Sequence, residues 1–141
     1  MMTRAFRRIV LACWLLDGLA VLALWIATFA TGRAWEQGLF VYQNGNIPLF
    51  HVVAECLMAL VTLLGVLAWI AKKRWGRLLA LVGAGMFGYS AINSMGWAIH
   101  NAPALAIPMA LSLAGLPLLF VLAARESAGA TGNRLAPARQ R

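Results

Sequence analysis

The sequence predicts an all-α fold, a polytopic membrane four-helix bundle with both its N- and C-termini in the cytoplasm. Three observations predict it. Hydrophobic residues make up 62% of the chain and charged ones 11%, whereas soluble domains run at about half and about a quarter. Four apolar runs are each long enough to cross a hydrocarbon core of about 30 Å, which takes roughly 20 helical residues. The basic residues gather at alternate ends of those runs, as they do when cytoplasmic loops retain Lys and Arg.

The first span covers about residues 9–30, behind Arg4, Arg7 and Arg8. A signal peptide also begins with a basic stretch such as MMTRAFRR, but its apolar region is only about 7 to 15 residues long. Here the run is longer and carries Asp17, so it reads as an uncleaved span. The second span covers about 47–71, and Lys72, Lys73, Arg74 and Arg77 fill the turn after it. The third covers about 78–99. The fourth covers about 104–124 and contains Pro108 and Pro117, each of which removes a backbone hydrogen bond and favours a kink. Arg125, Arg134, Arg139 and Arg141 follow it, in a segment from 126 to 141 expected to be a disordered basic cytoplasmic tail. The two remaining loops hold Arg33 beside Glu36 and, at the end of the third span, His100.

Topology accounts for the net charge of +8, and no basic face is interleaved with stacking aromatics, so nucleic acid is not an expected partner. Cys13 and Cys56 sit at depths differing by roughly 9 Å at the helical rise, too far for a bridge whose Cα atoms lie about 4.4 to 6.8 Å apart. No P-loop, GxSxG, HExxH or CxxC occurs, which leaves nucleotide, hydrolase, metal and thiol chemistry without residues to rest on.

Polar residues within the spans carry the functional signal. His51 and Glu55 lie one turn apart in LFHVVAEC, on a face shared with Met58, Thr62, Gly65 and Trp69. On the third span Gly85, Tyr89, Asn93, Gly96 and His100 share a direction, while Ala80, Ala84, Gly88 and Ala91 form a small-residue packing seam on the other side. With the second and third spans antiparallel, Glu55 lies about 12 Å, and Asn93 about 9 Å, below the outer boundary. Facing each other, the two stripes build a polar pocket in the outer half, with Asp17 reaching its lower part. Its expected lining is Asp17, Met58, Thr62, Tyr89, Asn93 and Trp97, around a proton-handling pair of His51 and Glu55. A carboxylate in mid-span costs about 2.5 to 3.5 kcal/mol on insertion scales, so these acids need compensation. The structural alternative is that His51, Glu55 and Asn93 simply hydrogen-bond as interhelical glue, at about 0.6 to 2 kcal/mol per contact. The six tryptophans read mainly as an interfacial aromatic belt.

The segments NGNIPLFHVVAE (44–55) and GAGMFGYSAINSMGW (83–97) resemble a family of small, uncharacterised prokaryotic four-helix membrane proteins bearing FHxxAE and GMxxYxxxNSxG motifs. That likeness implies a multi-pass protein of the prokaryotic inner membrane. A fainter likeness is to the emopamil-binding-protein, sterol isomerase-like group, in which a His and a Glu one turn apart act on a lipid-like substrate. It implies that His51 and Glu55 handle the proton and that Asn93 and Trp97 line the pocket. The chain departs from that group in its length, in having no acid on the third span, and in the spacing of Asn93 and Trp97.

Three functional readings stay open. One is binding or protonation of a small apolar or lipid-like ligand at the pocket, which leaves open whether the protein is an enzyme. The second is a structural or accessory subunit that docks on a larger membrane complex through Ala80, Ala84 and Gly88, and a homo-oligomer is a separate possible partner. The third is a proton-coupled small transporter with Asp17 and Glu55 as successive carriers. No cofactor is expected; a haem between His51 and His100 is disfavoured because His100 sits at the surface.

Overall fold

The computed structural model describes residues 4–31, 49–101 and 103–135. Among these are four helices, α1 (Arg4–Thr31), α2 (Leu49–Ile70), α3 (Gly76–Asn101) and α4 (Pro103–Leu135). All four are long and apolar enough to span a membrane. Each contains one of the expected spans, except that the second starts at Ile47, outside the described residues along with Arg33 and Glu36, and ends at Ala71, in the turn after α2.

The surface identifies the solvent. Ile9, Leu16 and Ile26 on α1, Leu57 and Leu64 on α2, and Ile107 and Leu111 on α4 are all exposed. An apolar coat of that extent is untenable in water and suits a bilayer. The protein is therefore a multi-pass membrane protein.

Consecutive helices pack side by side, most extensively α2 on α3, while α1 and α4 meet only lightly. Glycines set the closeness. A Cβ on Gly65 would overlap the Ala80 backbone, and one on Gly83 would run into Thr62, so the α2 and α3 backbones nearly touch. A Cβ on Gly18 would lie 2.9 Å from Leu63 Cγ, which draws α1 onto α2. The small-residue seam of α3 is thus consumed within the chain: Ala80 and Ala84 are fully buried, and Gly88 accommodates Leu116 of α4.

α2 ends in a tight turn. Lys72 N–H donates to Trp69 O at 3.0 Å and Lys73 N–H to Ala68 O at 2.8 Å, with Lys72 at φ 58°. This is a Schellman termination in which Lys occupies the position usually given to Gly.

α4 continues through residue 135, so residues 126–135 are helical where a disordered tail was expected, and 136–141 lie outside the described residues. Two features explain it. The stretch after Arg125 contains no proline before Pro137, and Glu126 is tied into the bundle. Arg7 Nε donates to Glu126 Oε1 at 2.7 Å, Trp69 Nε1 donates to Glu126 Oε2 at 2.7 Å, and Arg7 Nη2 reaches Trp69 O at 3.3 Å. Beside this cluster lies a buried apolar plug that includes Leu11, Trp14, Val66, Leu119 and Leu122.

Candidate functional site

Glu55 is the buried acid of the membrane interior, 9% exposed. Its carboxylate gathers groups from three helices. Trp25 Nε1 of α1 donates to Oε2 at 2.8 Å, Ser90 Oγ of α3 donates to Oε1 at 2.8 Å, and His51 Nε2 of α2 lies 3.4 Å from Oε1. The His51 ring also meets the Trp25 indole edge-on, with centroids 6.3 Å apart. Because indole N–H is a donor only, and an ionised carboxylate an acceptor only, the Trp25–Glu55 pairing is chemically one-directional. The local cause is Gly18: by letting α1 approach α2 it carries Trp25, about two turns further on, to Glu55.

Two cavities meet at this carboxylate. The first, about 260 Å³, is lined by all four helices and includes Asp17, Val21, Leu24, Glu55, Phe87 and Ser112. The second, about 370 Å³, lies between α2 and α3 and includes His51, Glu55, Gly85, Tyr89 and Asn93. Glu55, Met58 and Ser90 belong to both walls. Asp17 and Ser112 line the first cavity within hydrogen-bonding reach of each other, and Ser112 Oγ lies 3.0 Å from Pro108 O, so its single proton serves one of these two acceptors at a time.

The residues expected from sequence therefore divide. His51 and Glu55 come together, and Met58 joins them. Tyr89 and Asn93 border the second cavity but point largely outward, Tyr89 being 76% exposed. Asp17 belongs to the first cavity instead. Thr62 lines neither; it is fully buried against Gly83 and donates to Met58 O at 2.9 Å. The Trp97 side chain lies outside the described residues. His100 is exposed at the end of α3, and Cys13 and Cys56 are free thiols.

A family model described as a domain of unknown function (DUF8058) matches residues 5–131. The chain belongs to that family. The DUF8058 match takes in all of α2 and α3 and most of α1 and α4, so the Glu55 cluster and the Arg7–Trp69–Glu126 cluster both fall inside it. No curated protein and no solved structure matches the chain.

Sequence reasoning passed over Trp25, Ser90, Ser112 and Glu126. A usable signal existed for the first. Trp14, Gly18, Trp25 and Thr28 fall on one stripe at 100° per residue, and all four are buried. A tryptophan on an inward stripe, opposite an acid of the neighbouring helix, is a donor in search of an acceptor. Ser90 sits beside Tyr89, off the predicted polar stripe of α3, and nothing in its spacing singled it out.

Proposed function

We infer that the four-helix cavity beside Glu55 and Asp17 binds a small, mainly apolar molecule that enters from the lipid, and that these two acids, Glu55 with His51 behind it, supply the polar or proton-handling end. The observation that carries this reading is the cavity itself: about 260 Å³ of space whose wall is apolar except for Asp17, Glu55, Ser90 and Ser112. Ligand sites have that composition, a hydrophobic lining with a few placed polar groups, and start at about 300 Å³ for drug-sized molecules. This one suits something smaller. Entry lies between α1 and α4, which pack only lightly against each other. The plug around Trp14 and Leu119 closes the cavity on the side of the α2–α3 turn, which favours a binding site over a continuous proton path. The charge bias of the loops supports a cytoplasmic location for both termini and that turn, and with it a site in the outer half of the membrane.

The test uses 2-phenylethanol as a neutral probe and saturation-transfer NMR on the full chain in deuterated micelles. Wild type is expected to transfer saturation to the probe ring. Ala20→Phe, which places a phenyl group in the cavity wall at an exposed position of α1, is expected to abolish the transfer while leaving helicity and melting unchanged. Equal transfer to both proteins, or none to wild type, would sink the reading.

A second reading, association with another copy, is favoured by α3. Tyr89 and Asn93 are exposed there between Gly85 and Gly96, beside which a Cβ would meet open space. An amide facing lipid is costly unless a neighbour satisfies it. Disulfide cross-linking of Tyr89→Cys in native membranes tests it, in a background lacking Cys13 and Cys56; a purely monomeric product rules it out.

A further inference from the structure

The junction of α2 and α3 places Lys72, Lys73, Arg74 and Arg77 within a single tight turn and the start of the helix after it. Lys72, Lys73 and Arg74 are exposed and Arg77 is half-buried. The acids of the described helices are engaged elsewhere. Glu126 is held by Arg7 and Trp69, Glu55 by Trp25 and Ser90, and Asp17 lies in the wall of the four-helix cavity. Among the described residues, then, no carboxylate neutralises the turn.

The cations are also held in place before any partner arrives. Beyond the two bonds that close α2, Gly76 N–H donates to Lys73 O at 3.1 Å and Leu79 N–H to Trp75 O at 3.0 Å. A Cβ on Gly76 would strike Trp69 N, so the start of α3 folds directly back on the end of α2. A fixed turn lowers the ordering cost of binding. Lys72 sharpens the point. At φ 58° it accepts a conformational penalty that glycine would avoid, and what it adds over glycine is a cation.

The surface next to the charges selects the partner. Trp75 is exposed beside them, and Leu78 and Val82, also exposed, follow it at i+3 and i+7 along one face of α3. The cations therefore stand at the head of an apolar track that faces lipid. A soluble acidic partner would meet the charges and leave the track and the indole unused. A phospholipid matches both, and tryptophan is the side chain that favours headgroup level.

We propose that the α2–α3 turn is a binding site for an anionic phospholipid, its phosphate held by Lys72, Lys73, Arg74 and Arg77 and an acyl chain lying along Trp75, Leu78 and Val82. Clusters of four or more Lys and Arg at the end of a membrane helix attract anionic headgroups, and guanidinium groups add bidentate hydrogen bonds to phosphate oxygens. None of these residues borders either cavity, so the site is independent of the ligand-binding reading above.

The experiment titrates the full chain in a neutral detergent with phosphatidylglycerol or phosphatidylcholine of identical acyl chains and counts bound lipid by native mass spectrometry. Wild type is expected to bind phosphatidylglycerol about tenfold more tightly. The double variant Lys73→Gln with Arg74→Gln is expected to bring the two lipids within about threefold. Arg4→Gln with Arg8→Gln removes the same charge from exposed positions of α1 and is expected to keep the preference. Equal binding of the two lipids by wild type, a comparison that needs no variant, overturns the proposal. Equal loss in both double variants assigns the preference to overall charge and overturns the site at the turn. Displacement of bound phosphatidylglycerol by an equal concentration of free glycerol phosphate overturns the lipid as occupant.

Discussion

Trp25 and Glu55 are joined by a buried 2.8 Å hydrogen bond between α1 and α2, and the same pairing recurs at the other end of the bundle. There Trp69 donates to Glu126 at 2.7 Å, joining α2 to α4. In both cases a side chain with a single donor meets a carboxylate, so exchanging either tryptophan for phenylalanine removes a donor that phenylalanine cannot replace. Removing one partner from a buried hydrogen bond costs about 1 to 3 kcal/mol, and bonds inside membrane bundles fall at the lower end.

Trp25→Phe is therefore expected to lower stability by about 1 to 2 kcal/mol. Reversible unfolding in mixed micelles measures it. In a double-mutant cycle with Glu55→Gln, the coupling should be at least about 0.6 kcal/mol. Additive single-mutant effects would mean the bond contributes nothing.

Glycine substitutions should split by position. Gly65→Ala pushes α2 off α3 at Ala80 and is expected to destabilise the bundle severely or prevent folding. Gly85→Ala and Gly96→Ala meet open space and should be neutral or stabilising by up to about 1 kcal/mol, the usual gain from replacing a helical glycine. Parallel melting curves of the three variants decide it.

Lys72 holds φ at 58°, a conformation costing about 1 to 2 kcal/mol for an L-residue. Lys72→Gly removes that cost but adds freedom to the unfolded chain, so the expected outcome is a gain of at most about 1 kcal/mol. Lys72→Val, branched at Cβ, should lose about 1 kcal/mol or more. A stable Val variant would show that the turn has another conformation available.

The Glu126 cluster gives the segment beyond Arg125 a measurable role. A chain ending after Arg125 should melt below one ending after Ala128, because only the latter retains the acceptor for Arg7 and Trp69. The expected difference is about 1 to 2 kcal/mol, since the ion pair is partly exposed. Identical melting would demote α4 beyond Arg125 to an unattached extension.

Orientation is tested separately. With Cys13 and Cys56 replaced, Lys73→Cys should resist a membrane-impermeant maleimide in intact cells and react after lysis, as a cytoplasmic turn requires. Labelling in intact cells would invert the topology.

The four-helix architecture was legible because bilayer thickness acts on whole segments, so errors of a few residues at the span ends do not matter. The pairing of His51 with Glu55 was legible for a similar reason: four residues on one helix fix the geometry in advance. The partners of Glu55 on other helices were not, because helix rotation is set by contacts such as Gly18 on Leu63 and Gly65 on Ala80, which spacing alone does not reveal. That rotation turned Tyr89 and Asn93 outward and brought Ser90 in. It also moved Trp14, Trp25 and Trp69 from the expected belt into the interior. Glu126 was missed because composition marks the segment after the fourth span as solvent-like, although one acid in it answers an arginine on the first helix.

The placement of Glu55 between donors on α1 and α3 has a bearing on biogenesis. A ribosome delivers Trp25 to the membrane before Glu55 and Ser90 after it, so the acid never has to wait for the whole chain to find a companion. The hairpin of α2 and α3, with backbones in near contact at Gly65 and Ala80, is compact enough to leave the insertion machinery as a unit. A translated fragment stopping after α2 would expose the unsatisfied half of that carboxylate, and cellular quality control would be expected to degrade it.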